Sequence, residues 1–274
     1  MTLADRPTTR QGAQYHIRCS CGELASYLLV PGDPDRVSKI SSLWDERREV
    51  ARHREFLSHT GTYKGHPVSA LSSGIGPAAM AIVVNEAYNI GVKTLIRVGS
   101  TGAIREGIHC GDLVISNAAM RLDGASLSYV GPEFPAFASY DVLQALIEAA
   151  ETLKVPYHVG VTVTTSDFYA GQGRPTSASG PVELVERFRR LGVLNFEMEC
   201  ATLFVLSALL NIRAGAVCAV YADRIHNVFE EGAGEMAAAQ VACEAVKILN
   251  EWDELVREKG RARFYPGLLR NLNS

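Results

Sequence analysis

The chain has 274 residues, of which 47% are hydrophobic, with a formal net charge of −3. That length and apolar content suffice for one α/β domain with a large core, so a single domain over residues 1–274 is expected. The near-balanced charge excludes general binding to nucleic acid or to an anionic membrane surface, both of which need concentrated Lys and Arg.

Short runs rich in Val, Ile and Leu alternate with longer stretches of helical period, the pattern of a largely parallel sheet covered by helices. In chain order the predicted elements are a strand over 27–30, a helix over 35–43, a strand over 68–71, a helix over 77–89 and strands over 94–98 and 113–116. A helix over 140–153, a strand over 158–164, helices over 182–191 and 199–210, a strand over 214–220 and a helix over 235–258 follow. In the last helix Met236, Val241, Val246 and Leu249 fit an inward stripe, while Glu251, Glu254 and Lys259 fit a solvated face. The polar N-terminal segment and the lack of an apolar run approaching roughly 20 residues point to the cytoplasm and away from a membrane.

Three predicted strands run into glycine-rich turns: Val30 into Pro31-Gly32-Asp33-Pro34, Leu71 into Ser72-Ser73-Gly74-Ile75-Gly76, and Val98 into Gly99-Ser100-Thr101-Gly102. Loops beyond the carboxyl ends of strands collect on one side of an open α/β sheet, so all three are expected to line one pocket. Gly32 admits close approach of an anion to backbone N–H groups, and Arg36 follows in the first helical turn. Arg97 precedes small residues, Ser100 among them, whose amides and hydroxyls suit phosphate oxygens. The P-loop pattern is absent, and Arg54 cannot be placed by spacing.

A second constellation lies downstream. Glu197-Met198-Glu199 enters a helix about twenty-five residues after a turn, Gly171-Gln172-Gly173-Arg174, expected to be exposed. Two carboxylates beside an apolar side chain suit sugar hydroxyls; Gln and Arg suit the edge of a planar amide. The same glutamates also fit the plainer role of acids at a helix N-terminus. The six cysteines read as buried thiols, and His16-x-x-Cys19-x-Cys21 lacks a further ligand for zinc, so no metal is assigned.

Residues 30–36, 53–56, 97–104, 121–126, 168–174 and 195–199 together closely resemble uridine phosphorylases, of the nucleoside phosphorylase-I superfamily. The resemblance runs from about His16 to the final helix, with its motifs in the family's order. It implies a three-layer α/β/α fold around a mixed, largely parallel sheet, and reversible phosphorolysis of uridine to uracil and ribose 1-phosphate. Gly32, Arg36, Arg97 and Ser100 would hold phosphate, with Arg54 supplied by a neighbouring subunit. Met198 and Glu199 would hold ribose, Glu197 would stand at the base and ribose side, and Phe168, Gln172 and Arg174 would receive uracil. His16 would reach the ribose 5′-hydroxyl across a dimer interface, within a homo-hexamer built as three dimers. Inorganic phosphate is the co-substrate, no cofactor is required, and Glu55 with Ser73 resemble interface residues that bind a monovalent cation in some relatives.

Asp223 departs from the pattern: it stands where asparagine is usual in bacterial uridine phosphorylases and where the superfamily's purine enzymes carry a general acid. A purine nucleoside phosphorylase is therefore the alternative. A nucleosidase is disfavoured by the arginine set, and a non-catalytic nucleoside or phosphate sensor stays open.

Overall fold

A computed structural model describes residues 3–178, 180 and 183–270. The chain runs β1 (Tyr27–Val30), α1 (Pro34–Ser41), β2 (Glu46–His53), β3 (Phe56–Tyr63), β4 (His66–Leu71), α2 (Pro77–Asn89), β5 (Thr94–Ala103), β6 (Leu113–Leu122) and β7 (Ala136–Phe137). It continues through α3 (Tyr140–Leu153), β8 (Tyr157–Thr165), α4 (Leu184–Arg190), β9 (Asn195–Glu197), α5 (Cys200–Leu209), β10 (Arg213–Asp223), β11 (Val228–Phe229) and α6 (Glu235–Glu258).

The sheet is mixed, with parallel pairings through its centre. β1 lies between β4 and β5, parallel to both, and β5 pairs in parallel with β10 over its whole length. From β10 the ladder passes antiparallel to β6, parallel to β8 and β9, and antiparallel back to β5, so this part of the sheet closes on itself. β1 shows how the two faces are filled. Its side chains alternate, so Leu29 packs with Val37, Val142 and Val246 under α1, α3 and α6, while Leu28 and Val30 pack with Met80, Val84 and Phe204 under α2 and α5. These are two apolar layers around one sheet, the α/β/α arrangement expected. Truncating a core leucine such as Leu29 to alanine costs about 2–5 kcal/mol.

Several boundaries differ from expectation for identifiable reasons. The segment Gly99–Gly102 is not a turn, because β10 pairs with β5 as far as Ala103 and β9 pairs with Gly102 on the other side. The predicted helix over 182–191 is seen as Leu184–Arg190, with Val182 outside the described residues, and Glu199 is the residue that precedes α5. Met236 is 40% exposed, whereas Val241, Val246 and Leu249 are fully buried. The β2–β3 hairpin escapes the pattern because β2, at the edge of the sheet, reads Glu-Arg-Arg-Glu-Val-Ala-Arg-His and alternates nothing apolar. Its turn holds Arg54 at φ +56°, a conformation uncommon for a residue with a Cβ.

Candidate active site

The three glycine-rich segments do converge on one cavity, the third of them as part of β5 and not as a turn beyond it. A cavity of about 680 Å³ is lined by Gly32 and Arg36 from the first segment, Gly74 and Ile75 from the second, and Ser100, Thr101 and Gly102 from the third. Arg97, Glu197, Met198 and Glu199 lie in the same wall, and Phe168, Gln172, Arg174 and Phe229 also line it. Sequence positions almost 170 residues apart, from Gly32 to Glu199, thus face one space.

The arginine end is built from inside the fold. Asp33 caps α1 by accepting the Asp35 N–H at 2.9 Å, and Pro34 opens the helix, which brings Arg36 against Val98 in the middle of β5. Arg36 donates to Glu235 Oε2 at 3.1 Å, to the Val98 carbonyl at 3.3 Å and to the Tyr221 hydroxyl at 3.2 Å. Glu235 also takes Lys39 Nζ at 2.5 Å and the Tyr221 hydroxyl at 2.5 Å. Burial opposes its charge, yet these partners hold its carboxyl down at about 2. No sequence signal marked Glu235 or Tyr221, since a first-turn acid and a strand tyrosine are ordinary residues.

Arg97 is anchored by both members of the acidic pair. Its Nε donates to Glu197 Oε2 at 2.9 Å and its Nη2 meets Glu199 Oε2 at 2.5 Å. Burial disfavours the guanidinium charge, but Glu199 and then Glu197 more than restore it, so Arg97 is held as a cation. Gly99 makes this possible: a Cβ there would stand 2.8 Å from Arg97 Cζ and 2.8 Å from Cys218 Sγ.

The two glutamates are not equivalent. Glu197 Oε2 also accepts the N–H groups of Glu199 and Cys200 at 2.7 and 2.9 Å, and its Oε1 takes the Thr164 hydroxyl. It therefore does fill the helix-capping role of an N-terminal acid, while fixing Arg97. Glu199 accepts the Gly76 N–H at 2.5 Å, which ties α5 to the second glycine segment. Burial raises the Glu199 carboxyl above the ordinary range despite Arg97 facing it, and the neighbouring Glu197 adds to the rise. Met198 is half-buried between them and lines the cavity.

The other end carries positive charge from Arg174 and Arg224, neither of which forms an ion pair with a carboxylate among the described residues. Arg174 lies 3.8 Å over the Phe168 ring and donates to the Phe168 carbonyl at 2.5 Å and to Gln172 Oε1 at 2.6 Å. Gln172 is only 3% exposed, which corrects the expectation of an exposed turn. Its Nε2 donates to Thr165 Oγ1 at 3.3 Å, and its carbonyl receives Arg224 Nη1 at 3.2 Å. Burial and the nearby Arg224 lower the Arg174 guanidinium to about 10, still protonated at neutral pH. Arg224 was not singled out from the sequence; only its place beside Asp223, after a predicted strand, hinted at it.

Arg54 and His16 do not line this chain's cavity. Arg54 is exposed, with its guanidinium 6.0 Å from the Tyr15 ring, and His16 Nδ1 pairs with Glu86 at 2.7 Å. His53 Nδ1 lies 3.0 Å from the His16 carbonyl, so both residues belong to one surface corner. Glu55, on the same hairpin turn, does line the cavity, whereas Ser73 is buried and donates to the Gly74 carbonyl at 2.9 Å.

Asp223 is unsuited to donating a proton to a departing base. Burial works against its charge, but the His226 N–H, the His226 ring and the Ile225 N–H hold its carboxyl below the ordinary range. It does not line the cavity, although its neighbour Ala222 does.

The sequence profile of the phosphorylase superfamily matches residues 26–250. Among similar proteins, a uridine phosphorylase of Thermococcus kodakarensis is 54% identical over 269 residues, 97% of each chain. A uridine phosphorylase of Escherichia coli is 39% identical over 244 residues, 86% of this chain and 95% of that one. A guanosine phosphorylase of Halorubrum lacusprofundi is 35% identical over 207 residues, 76% of this chain and 82% of that one. With the matched region holding every wall of the cavity, this chain belongs to the phosphorylase superfamily.

Proposed function

We infer that the protein is a uridine phosphorylase, which converts uridine and inorganic phosphate reversibly to uracil and ribose 1-phosphate. The observation that carries this reading is the division of one cavity into an arginine end at Gly32, Arg36, Arg97 and Ser100, a carboxylate middle at Glu199, and a second cationic end at Gln172 and Arg174. The similarity to proteins named uridine phosphorylase over most of the chain supports it.

Each part matches a need of the reaction. Stretching the glycosidic bond leaves positive charge on the ribose and negative charge on the uracil, so phosphate must stand beneath C1′ while donors face the departing base. Arg36 and Arg97 orient phosphate, whose own negative charge stabilises the cationic sugar. Glu199 and Met198 hold the ribose, and Glu197 fixes Arg97 through its ion pair. Arg174 and Gln172 favour the uracil anion, each such donor contributing about 2.7–4 kcal/mol in the transition state. Phosphate is the only co-substrate that this chemistry needs.

Arg54 and His16 complete a neighbour's site, a reading supported by their place on one surface corner where neither lines its own chain's cavity. The smallest active unit is then a dimer, and the family resemblance favours a hexamer of three dimers. Glu55 and Ser73, at the same edge, are the groups that would take a monovalent cation there. Base release from uridine, inosine and guanosine at saturating phosphate tests the substrate class. Preference for uridine supports the reading; preference for a purine nucleoside would overturn it.

A further inference from the structure

A second cluster stands outside the cavity, where the 104–112 segment between β5 and β6 meets the turn that follows β10. His109 Nδ1 lies 3.8 Å from Asp223 Oδ2, and His226 Nδ1 lies 2.7 Å from the same oxygen. The three ligand-type atoms all fall within 4.8 Å of one another, the only such group of His, Cys, Asp and Glu among the described residues. We propose that His109, Asp223 and His226 bind one divalent transition-metal ion of the zinc class, which pins the 104–112 segment to the turn after β10.

The carboxylate is arranged for this role. Asp223 Oδ1 is occupied by the backbone N–H groups of Ile225 and His226, at 2.9 and 3.0 Å, so the side chain is oriented and Oδ2 is the oxygen presented to the imidazoles. Asp223 is buried, whereas the His109 and His226 side chains are 65% and 52% exposed and free to pivot onto an ion. Bonds of about 2.1 Å in a tetrahedral set place ligand atoms about 3.4 Å apart, between the two separations seen here. Glu106 Oε2 stands 3.8 Å from the second ring nitrogen of His226, where a carboxylate commonly steadies a metal-bound imidazole. Two histidines and a carboxylate leave a coordination position for water and suit zinc over calcium or magnesium, which prefer all-oxygen shells. Ligation through His226 Nδ1 requires the neutral ring with its proton on Nε2, on the side of Glu106; a ring protonated on both nitrogens first loses its Nδ1 proton to solvent.

The cluster is remote in sequence, joining residue 109 to residues 223 and 226, so the ion closes a loop of more than a hundred residues. Its binding to the folded state alone raises thermal stability by mass action.

The test uses the full chain, stripped with chelator and titrated with zinc chloride by calorimetry and thermal melting. Wild type should take up one ion per chain and melt higher with zinc. His109→Ala should melt normally without zinc, bind about tenfold or more weaker, and lose the zinc-dependent rise. Cys21→Ser, which removes the exposed thiol, should behave as wild type. Equal zinc affinity in wild type and His109→Ala, loss of binding in Cys21→Ser, or no binding at all would each overturn the proposal.

Discussion

Arg97 and Glu199 meet at 2.5 Å through Nη2 in the cavity wall, while Glu197 takes the adjacent Nε of the same guanidinium at 2.9 Å. One cation is thus shared by two buried carboxylates, and its loss affects both chemistry and fold. Arg97→Ala should lower phosphate-dependent turnover about a hundredfold to a thousandfold. Leaving the carboxylates unpaired should also destabilise the protein by about 3–5 kcal/mol. The loss should be smaller at acidic pH, where Glu199, whose carboxyl burial already raises, protonates, so urea melts at two pH values together with steady-state kinetics check both halves.

Gly99→Ala tests the placement of Arg97 without touching its charge. The added methyl would stand 2.8 Å from the guanidinium and from Cys218 Sγ, with β5 fixed between two neighbours. Overpacking of this kind costs about 1–3 kcal/mol, and the displaced arginine should raise the KM for phosphate more than that for the nucleoside. An unchanged phosphate KM would show that the arginine does not depend on this gap.

At the other end, Arg174→Ala removes the cation stacked 3.8 Å over Phe168. Turnover of uridine should fall by about a hundredfold to a thousandfold, with little change in phosphate affinity. Nucleosides whose base leaves readily without a donor should lose much less, which a series of uridines with increasingly acidic bases would reveal.

Glu235 holds Arg36, Lys39 and Tyr221 together, and its carboxyl is depressed to about 2. A depressed acid stabilises the fold fully above its unfolded value of about 4.3, and that contribution is lost as pH falls toward 2. Wild type should therefore exceed Glu235→Gln in stability at neutral pH, with the gap narrowing through this acid window. In kinetics at neutral pH, Glu235→Gln should weaken phosphate binding by releasing Arg36.

If Arg54 serves a neighbour's site, Arg54→Ala and Arg174→Ala should each be nearly inactive alone. Refolded together they should regain activity, because mixed dimers contain sites with both arginines intact. Mixtures no more active than the separate variants would assign Arg54 another role.

Most of the central elements were legible because β1, β4, β5 and β10 are buried apolar runs, and α2, α3 and α6 keep their helical period between them. The hairpin of β2 and β3 was not, since an edge strand of charged residues has no apolar face to betray it. The strand character of Gly99–Gly102 was hidden as well, because it comes from β9 and β10, paired from far along the chain. Within the site, residues in distinctive runs, such as Arg97, Gln172 and Glu199, could be picked out. Glu235, Tyr221 and Thr164 act by meeting those residues in space, and local sequence carries no trace of such meetings.

The most direct measurement is uridine cleavage with and without inorganic phosphate, with the sugar product identified. Uracil release that requires phosphate and yields ribose 1-phosphate is the predicted result. Release of uracil with free ribose, at a rate indifferent to phosphate, would contradict the assignment of Arg36 and Arg97 to the nucleophile.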